Sequence, residues 1–460
     1  MNLFIAGICG TFMAGIAQLA RSAGHKISGC DSNVYPPMST LLESEGIETM
    51  EGYLPEYLDV AYDQIIIGNA LSRGNPLVET ILDRKIPYQS GPQWLHDHFL
   101  LDRNVVAVAG THGKTSTSSM LAWIMESNRY SPGFLIGGKP GNFDNSARSG
   151  AGDWFVIEAD EYDTAFFDKR SKFVHYGPKV AILNNLEFDH ADIFDNIDQI
   201  KKQFHHLVRI VPSNGHIIAN ADDSNIDDVL SMGLWSNISK FSVINPDCQW
   251  FAKPIADDAS EFEIFHNGIS AGIVRWHCIG THNMSNALAA VAAAYATGIE
   301  PENTCEAFSD FKATDRRLQL LFNYDNISLY EDFAHHPTAI QSTIEAVKQK
   351  YPQRMIIAVV EPRSNTMRGG FHGDSLKKSF NGADLTVIYQ PDKHALQAGI
   401  LKTVPEGTCE ILQHGSIEEV LATLELRIQP NSVIICMSNG SFDGIPKKLQ
   451  ERLETMVVED

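Results

Sequence analysis

The stretch that most constrains this chain is Asn104-Val-Val-Ala-Val-Ala-Gly-Thr-His-Gly-Lys-Thr-Ser-Thr117. The β-branched run Val105, Val106 and Val108 predicts a buried strand, Gly110-Thr-His-Gly113 a tight loop, and Lys114 onward a helix. Strand, loop and helix in that order make a phosphate cradle. Loop N–H groups and the positive helix end face an anion, Lys114 adds a point charge, and Thr115 offers a hydroxyl to Mg2+. The loop is a shortened variant: Val108 stands where the usual pattern has its first glycine, which comes late, at Gly110. The plainer alternative is a glycine-rich turn with an incidental lysine. The shared register of all three parts favours nucleotide binding.

A chain of 460 residues exceeds one core, and about 100–200 residues per domain suggests three domains. The expected division is 1–103, 104–312 and 313–460. A net charge of -21 argues against a nucleic-acid or anionic-membrane partner, so an anionic ligand must be held by local cations and backbone amides. The seven cysteines are scattered without a Cys-x-x-Cys pair, which fits free thiols in a reducing cytoplasm. Met1 to Ala20 carries no charged side chain, yet it lacks a basic leader and is broken by Gly7, Gly10 and Gly15. It reads as strand, turn and helix, not as a signal peptide or membrane span.

Residues 1–103 alternate strand and helix in the βαβ manner of a Rossmann-like sheet: Asn2 to Ala6, a turn through Gly7, Cys9 and Gly10 into a helix, Lys26 to Gly29 ending at Asp31, then Gln64 to Gly68. Asp31 stands about where an acidic side chain would meet a ribose. The dinucleotide fingerprint is not met, because Cys9 and Phe12 occupy the positions of its second and third glycines. A nucleoside diphosphate such as a UDP-sugar is therefore favoured over NAD. Ile86 to Leu95 reads as a strand end and a stiff connection.

In the middle region, Asp153 to Asp163 and Lys179 to Asp192 are each an apolar strand ending in carboxylates. In a parallel sheet those ends lie beside the phosphate loop, where a triphosphate's Mg2+ needs oxygen ligands, and Glu158 is the first choice. Asp160, Glu161 and Asp163 read equally as a solvated acidic loop, and His190 as a core or helix-start histidine. Asn283 and Asn286 share a face of an alanine-rich helix opening at Gly280; their amides suit an adenine edge or ribose, whereas simple capping by Asn283 is the alternative.

From about residue 313 the alternation restarts. Ile327 to Tyr330 leads to Glu331-Asp-Phe-Ala-His-His-Pro-Thr338, with Pro337 starting a helix. Met355 to Val360 opens into the loop carrying Arg363 and Arg368, whose planar forks grip carboxylates or serve as ordinary surface arginines. Leu385 to Tyr389 and Ser432 to Met437 continue the sheet. The expected fold is thus α/β in three domains: a Rossmann-like first, a central P-loop ATPase-like, mostly parallel sheet, and a Rossmann-like third.

Together Gly110-Thr-His-Gly-Lys-Thr-Ser116, Glu158-Ala-Asp-Glu161, Asn184-Asn-Leu-Glu-Phe-Asp-His190, His282-Asn-Met-Ser-Asn286, Arg316-Arg317 and Asp332-Phe-Ala-His-His-Pro337 resemble the motifs of the Mur ligase family, in that order. The resemblance runs over essentially the whole chain. It implies an ATP-dependent ligase that joins amino acids or peptides to UDP-N-acetylmuramic acid through an acyl phosphate, acting in the cytoplasm. Glu361-Pro-Arg-Ser-Asn-Thr-Met367 and Met437-Ser-Asn-Gly440 are similar to the branch that takes the murein tripeptide L-Ala-γ-D-Glu-meso-diaminopimelate in peptidoglycan recycling. A de novo L-alanine ligase and a non-catalytic ATP-gated binding protein are the rivals.

As implied by the resemblance, the UDP-sugar meets Gly7, Cys9, Gly10, Thr11, Asp31, Ser72 and His112 in the first domain. Mg-ATP meets Gly110 to Ser116 with Asn283, Asn286, Arg317 and Asp332, and Mg2+ is held by Thr115, Glu158 and His190. The peptide meets Arg363, Ser364, Asn365 and Arg368. Lys114, His190, Arg317, His335 and His336 are the expected catalytic set. Where several Mur ligases carry a carbamylated lysine, this chain reads Lys201-Lys-Gln-Phe-His-His206, with a histidine near the expected place, so no modification is expected. A monomer is the working expectation.

Overall fold

The computed structural model describes residues 1–34, 38–363, 365–368, 373–391 and 409–459. Strand and helix alternate along the chain because short β-branched runs are punctuated by turns, and among the described residues three large sheets and one two-stranded ribbon, Asp163–Ala165 with Asp168–Ser171, result. In the first, Asn2–Ala6 is central, flanked by Lys26–Asp31 and Gln64–Ile67, with Glu48–Glu51 and Tyr88–Ser90 at the edges, all parallel. Crossovers from one strand to its parallel neighbour place the connecting turns at one edge, where a ligand docks. The segment expected to be a strand end and a stiff connection holds this last strand, but the connection is the helix Gly91–Leu95, because Ser90 Oγ accepts from Gln93 N–H at 3.3 Å and caps it.

The middle sheet is built on Asn104–Ala109, which lies between Trp154–Ala159 and Val180–Leu183 in parallel pairing. The register aligns Ala109 with both Ala159 and Leu183. All three strands therefore end together, and the phosphate loop, the Asp160–Glu161 turn and the Asn184–His190 loop emerge on one edge. The sheet runs on through His216–Asn220 and Asn237–Ser242 into a meander, Trp250–Pro254, Glu261–His266 and Ile269–Arg275, that the motifs did not signal. The third sheet pairs Gln319–Tyr324 antiparallel to Ile327–Asp332, then continues in parallel through Ser432–Met437, Met355–Val360, Leu385–Tyr389 and Glu410–His414.

The first and middle modules share a core. The helix Thr11–Ser22 lays Gly15 against Leu135, and Ser146 Oγ donates to Gln18 Oε1 at 3.0 Å in the buried seam. Among the described residues no helix is long and apolar enough to cross a membrane. The seven cysteines are free thiols.

Candidate active site

The helix Lys114–Ser127 starts at Gly113, which is left-handed at φ +77°. A Cβ there would collide with Asn286 Oδ1 and come within 2.9 Å of Asn184 Nδ2, so only glycine fits the turn. The loop is braced from behind. Asn185 accepts His112 N–H on its side chain at 2.7 Å and Thr111 N–H on its carbonyl at 3.1 Å, while Glu187 N–H donates to Thr111 Oγ1 at 2.8 Å. Thr111 and His112 were expected to turn their amides to phosphate; both amides are engaged by Asn185 instead. What faces the edge is the start of the helix, whose first N–H groups have no carbonyl within the helix to bond. The Thr115 and Ser116 side chains are buried there.

Lys114 Nζ donates to Gly110 C=O at 2.7 Å and lies 3.4 Å from Glu161 Oε2 and 3.9 Å from Asp160 Oδ1. The other Glu161 oxygen is 3.3 Å from His190 Nε2. Glu161 is 2% exposed, so the reading of a solvated acidic loop fails for this residue: it bridges the two cationic side chains. Burial alone would raise its carboxyl, yet Lys114 and His190 hold it at about 2. Against the opposing effect of burial, Glu161 and Asp189 raise the His190 imidazole. The His190 backbone itself is left-handed, at φ +56°. Asp163, by contrast, pairs with the exposed Lys169, as a surface loop would.

Glu158 accepts Gly137 N–H at 2.5 Å, and burial together with the neighbouring Asp160 pushes its carboxyl up. A crowded carboxylate of that kind is what a divalent cation relieves, and Glu158 and the Thr115 hydroxyl are oxygen donors of the type Mg2+ takes, whereas the His190 nitrogen that faces Glu161 could ligate only after losing its proton. Lys172 also belongs here, although nothing in the sequence marked it. It is buried, 3.5 Å from Asp160 Oδ2, with its ammonium over the rings of Tyr162 (4.1 Å) and Phe12 (4.7 Å). It thereby ties the first module to the middle one.

The third module reaches the same edge. Arg316 is fully committed, to Glu331 Oε1 at 2.8 Å and to the carbonyls of Ser438 and Gly440. Arg317 instead stacks its guanidinium on Phe333, with Asp332 and Glu158 as its charge partners. Asp332 accepts Leu318 N–H at 2.7 Å and Ala334 N–H at 2.8 Å. Its carboxylate, expected at the nucleotide, therefore ties the backbone just after Arg317 to the turn just after Asp332 itself. His335 Nδ1 bonds Phe333 C=O at 2.9 Å, and burial lowers the imidazole to about 4. His336 caps the helix Pro337–Lys350.

Other expected contacts are placed differently. Asn283 Nδ2 donates to Ile279 C=O at 2.8 Å and does not cap its helix, whose N-cap is Gly280. Asn286 Oδ1 accepts from Asn184 at 2.7 Å, so this oxygen props the phosphate loop. His112, assigned to both nucleotides, is turned to Glu187 at 3.3 Å and packs on His336. In the first module, Gly10 and Thr11 expose an uncapped helix start suited to a diphosphate, with Gly7 packed against Leu71 beside Ser72. Asp31, expected at a ribose, already accepts Cys9 N–H at 3.0 Å and Asn33 N–H at 3.2 Å. Within the helix Ile197–Ile210, which holds the stretch compared with the carbamylated lysine of other Mur-type motifs, His205 packs near Trp235 and Lys201 pairs with Asp228 at 2.7 Å.

Arg363 packs into Gly440, whose missing side chain makes room for the guanidinium. Thr366, from the same loop, donates to Asp189 Oδ1 at 2.7 Å, so the loop following Met355–Val360 lies against the His190 segment. Ser364 lies outside the described residues, as do the side chains of Asn365 and Arg368.

Three family models match the chain in succession: "Mur ligase family, catalytic domain" over residues 4–103, "Mur ligase middle domain" over 108–294 and "Mur ligase, glutamate ligase domain" over 316–440. The chain belongs to the Mur ligase family. Among curated relatives, the UDP-N-acetylmuramate–L-alanyl-γ-D-glutamyl-meso-2,6-diaminoheptandioate ligase of Escherichia coli is 50% identical over 98% of both chains. The UDP-N-acetylmuramate–L-alanine ligase of Caldanaerobacter subterraneus is 32% identical over 84% of this chain and 82% of its own. The crystal structure of a murein peptide ligase from Psychrobacter arcticus superposes with a TM-score of 0.77 at 42% identity, covering 98% of both chains. In Mur ligase terms, the three modules described above are those three domains.

Proposed function

We infer that this Mur ligase is an ATP-dependent amide-bond-forming enzyme that joins L-alanyl-γ-D-glutamyl-meso-diaminopimelate to UDP-N-acetylmuramate. The observation that carries the reading is the convergence of Lys114, Glu161 and His190, from three neighbouring strand ends, at one edge of the middle sheet, on a chain that is 50% identical end to end to a ligase named for that reaction. Free L-alanine as the acceptor is the weaker alternative, since the L-alanine ligase is 32% identical.

A carboxylate and an amine condense only if oxide is replaced by a better leaving group. The γ-phosphoryl of ATP passes to the muramic carboxylate, giving ADP and an acyl phosphate; the peptide amine then attacks the acyl carbon, loses a proton and expels phosphate. No protein nucleophile is needed. The work of the chain is placement and charge neutralisation. Lys114 and Arg317 are both cationic neighbours of Glu158, and each would balance charge on the phosphoryl oxygens as they move. Thr115 and Glu158, joined by His190 only when its imidazole is neutral, would hold Mg2+, which would neutralise the triphosphate's charge. Glu161 keeps His190 and Lys114 oriented. The open start of the helix Thr11–Ser22 takes the sugar nucleotide's diphosphate, and Arg363 meets a carboxylate at the diaminopimelate end. Closing the modules around the reactants keeps water from the acyl phosphate.

The test is phosphate release with UDP-N-acetylmuramate and ATP plus either tripeptide or L-alanine, each component omitted in turn. Release that requires the tripeptide is expected. Release supported equally by L-alanine would sink the assignment.

A further inference from the structure

Lys172 is 3% exposed at the seam of the first and middle modules, and no step of the ligase reaction uses it. Its place is set by the ribbon Asp163–Ala165 and Asp168–Ser171, which turns the chain back so that Lys172 N–H donates to Tyr162 C=O at 3.2 Å and Ser171 Oγ donates to Glu161 C=O. The side chain is thereby delivered to the turn that carries Asp160 and Glu161. Its ammonium stands 3.5 Å from Asp160 Oδ2 and over the rings of Tyr162, at 4.1 Å, and of Phe12, at 4.7 Å. A carboxylate and two ring faces all favour the cation.

Packing does not ask for a charge here. Burying an ammonium is costly, and a well-packed apolar side chain is often as stable in its place. The seam also has other ties: Phe166 stacks on Tyr88 with centroids 6.2 Å apart, His175 Nδ1 lies 3.0 Å from Gln93 Oε1, and Ser146 Oγ donates to Gln18 Oε1. What the cation adds is direction. Asp160 turns one oxygen to Lys172, an oxygen that also accepts Tyr162 O–H at 2.8 Å, and its other oxygen lies 3.9 Å from Lys114 Nζ. On the far side, Phe12 follows Thr11 in the uncapped first turn of the helix Thr11–Ser22. The series Phe12, Lys172, Asp160, Lys114 thus runs from the sugar-nucleotide turn to the phosphate loop. It also gives a reason for Phe12 where a dinucleotide turn has glycine, since glycine offers the ammonium no ring face.

We propose that Lys172 is a positioning residue for the ligase reaction: clamped between Phe12 of the first module and Asp160 of the middle one, it sets the reach from the sugar nucleotide's carboxylate to the γ-phosphoryl group held at Lys114. This rests on the ligase reading. Lys172 touches neither reactant and acts through Phe12 and Asp160. Each reactant binds on its own side of the seam, so loss of the cation spares both affinities and slows the step in which the two meet.

Full-length Lys172→Met and Lys172→Arg are compared with the parent by tripeptide-dependent phosphate release, by calorimetric titration with UDP-N-acetylmuramate and with a non-hydrolysable ATP analogue separately, and by urea unfolding. Lys172→Met should lose about 10²-fold in turnover, the scale of a misplacement of about 1 Å, with both affinities close to those of the parent. Lys172→Arg keeps a cation for the rings and the carboxylate and should turn over faster than Lys172→Met, whereas Lys172→Met, with no charge to bury, should be at least as stable to urea. Turnover and stability then rank the two variants in opposite order, which a packing role does not produce. Phe12→Leu, which keeps the seam apolar and removes only the ring face, should likewise lower turnover with both affinities kept, a readout that needs neither Lys172 variant to fold. The proposal is overturned if Lys172→Met turns over like the parent, if its loss is matched by a loss of either affinity, if Lys172→Arg is no faster than Lys172→Met, or if Phe12→Leu leaves turnover unchanged. No tripeptide-dependent release from the parent would sink the ligase reading itself, and the proposal with it.

Discussion

Glu161 stands between Lys114 and His190, one carboxylate oxygen 3.4 Å from the ammonium and the other 3.3 Å from the imidazole. Asp160 lies near Lys114 and Asp189 near His190, but Glu161 is the carboxylate that touches both, so it couples the orientation of one to the other. Replacing it by glutamine keeps the shape and removes the charge. Glu161→Gln should lower turnover by about 10²–10³-fold, the scale of losing a preorganised charge at a developing transition state. Steady-state phosphate release measures it, and the His190 imidazole, followed by NMR, should titrate lower than in the parent. Unchanged turnover would show that Glu161 is structural only.

The same carboxylate sets an acid limit. Its folded value of about 2 lies below its ordinary 4.5, so its contribution to stability is present above 4.5 and is lost as pH falls through about 2. His190 has the opposite sign: raised above 6.5 when folded, it stabilises most fully below that value and its contribution disappears as pH rises through the folded value. Urea unfolding across the acid range should be steeper in pH for the parent than for Glu161→Gln. Identical slopes would contradict the pairing.

Arg316 and Arg317 should separate cleanly. Arg316→Ala strips partners from Glu331 and from two carbonyls, and should cost about 1–3 kcal/mol in thermal or urea unfolding. Arg317→Ala should leave unfolding close to the parent and cut turnover by about 10²-fold or more. A reversed pattern would exchange their roles.

Gly113→Ala forces a left-handed alanine, at about 1–2 kcal/mol, and drives its methyl into Asn286. Affinity for a non-hydrolysable ATP analogue should fall, with a smaller change for the UDP-sugar. Calorimetric titration of both ligands decides the point.

Arg363→Ala should raise KM for the tripeptide far more than for UDP-N-acetylmuramate. Equal losses would remove Arg363 from the peptide site.

Much of this arrangement was legible in the residues because parallel strands must deliver their ends to one edge. The runs before Gly110, Asp160 and Asn184 announced strands, and the register then left little freedom. The inward carboxylate was not legible. Ala-Asp-Glu-Tyr-Asp has no periodicity to say which acid turns in, and the answer depends on Lys114 and His190 approaching from other segments. Asp31, Asp332 and Asn286 show the complementary error. Each lies at a strand end or helix face that points to a ligand, yet each is engaged by neighbouring amides or an asparagine that only the folded chain brings close. The meander after Asn237–Ser242 had a readable signal, the alternation of Glu261-Phe-Glu-Ile, but carries no motif.

The bracing of the phosphate loop by Asn184, Asn185 and Asn286 bears on kinetics as well as shape. A loop already fixed on its far side has little conformational entropy left to surrender when a nucleotide arrives, so the energy of that encounter remains for drawing the third module inward.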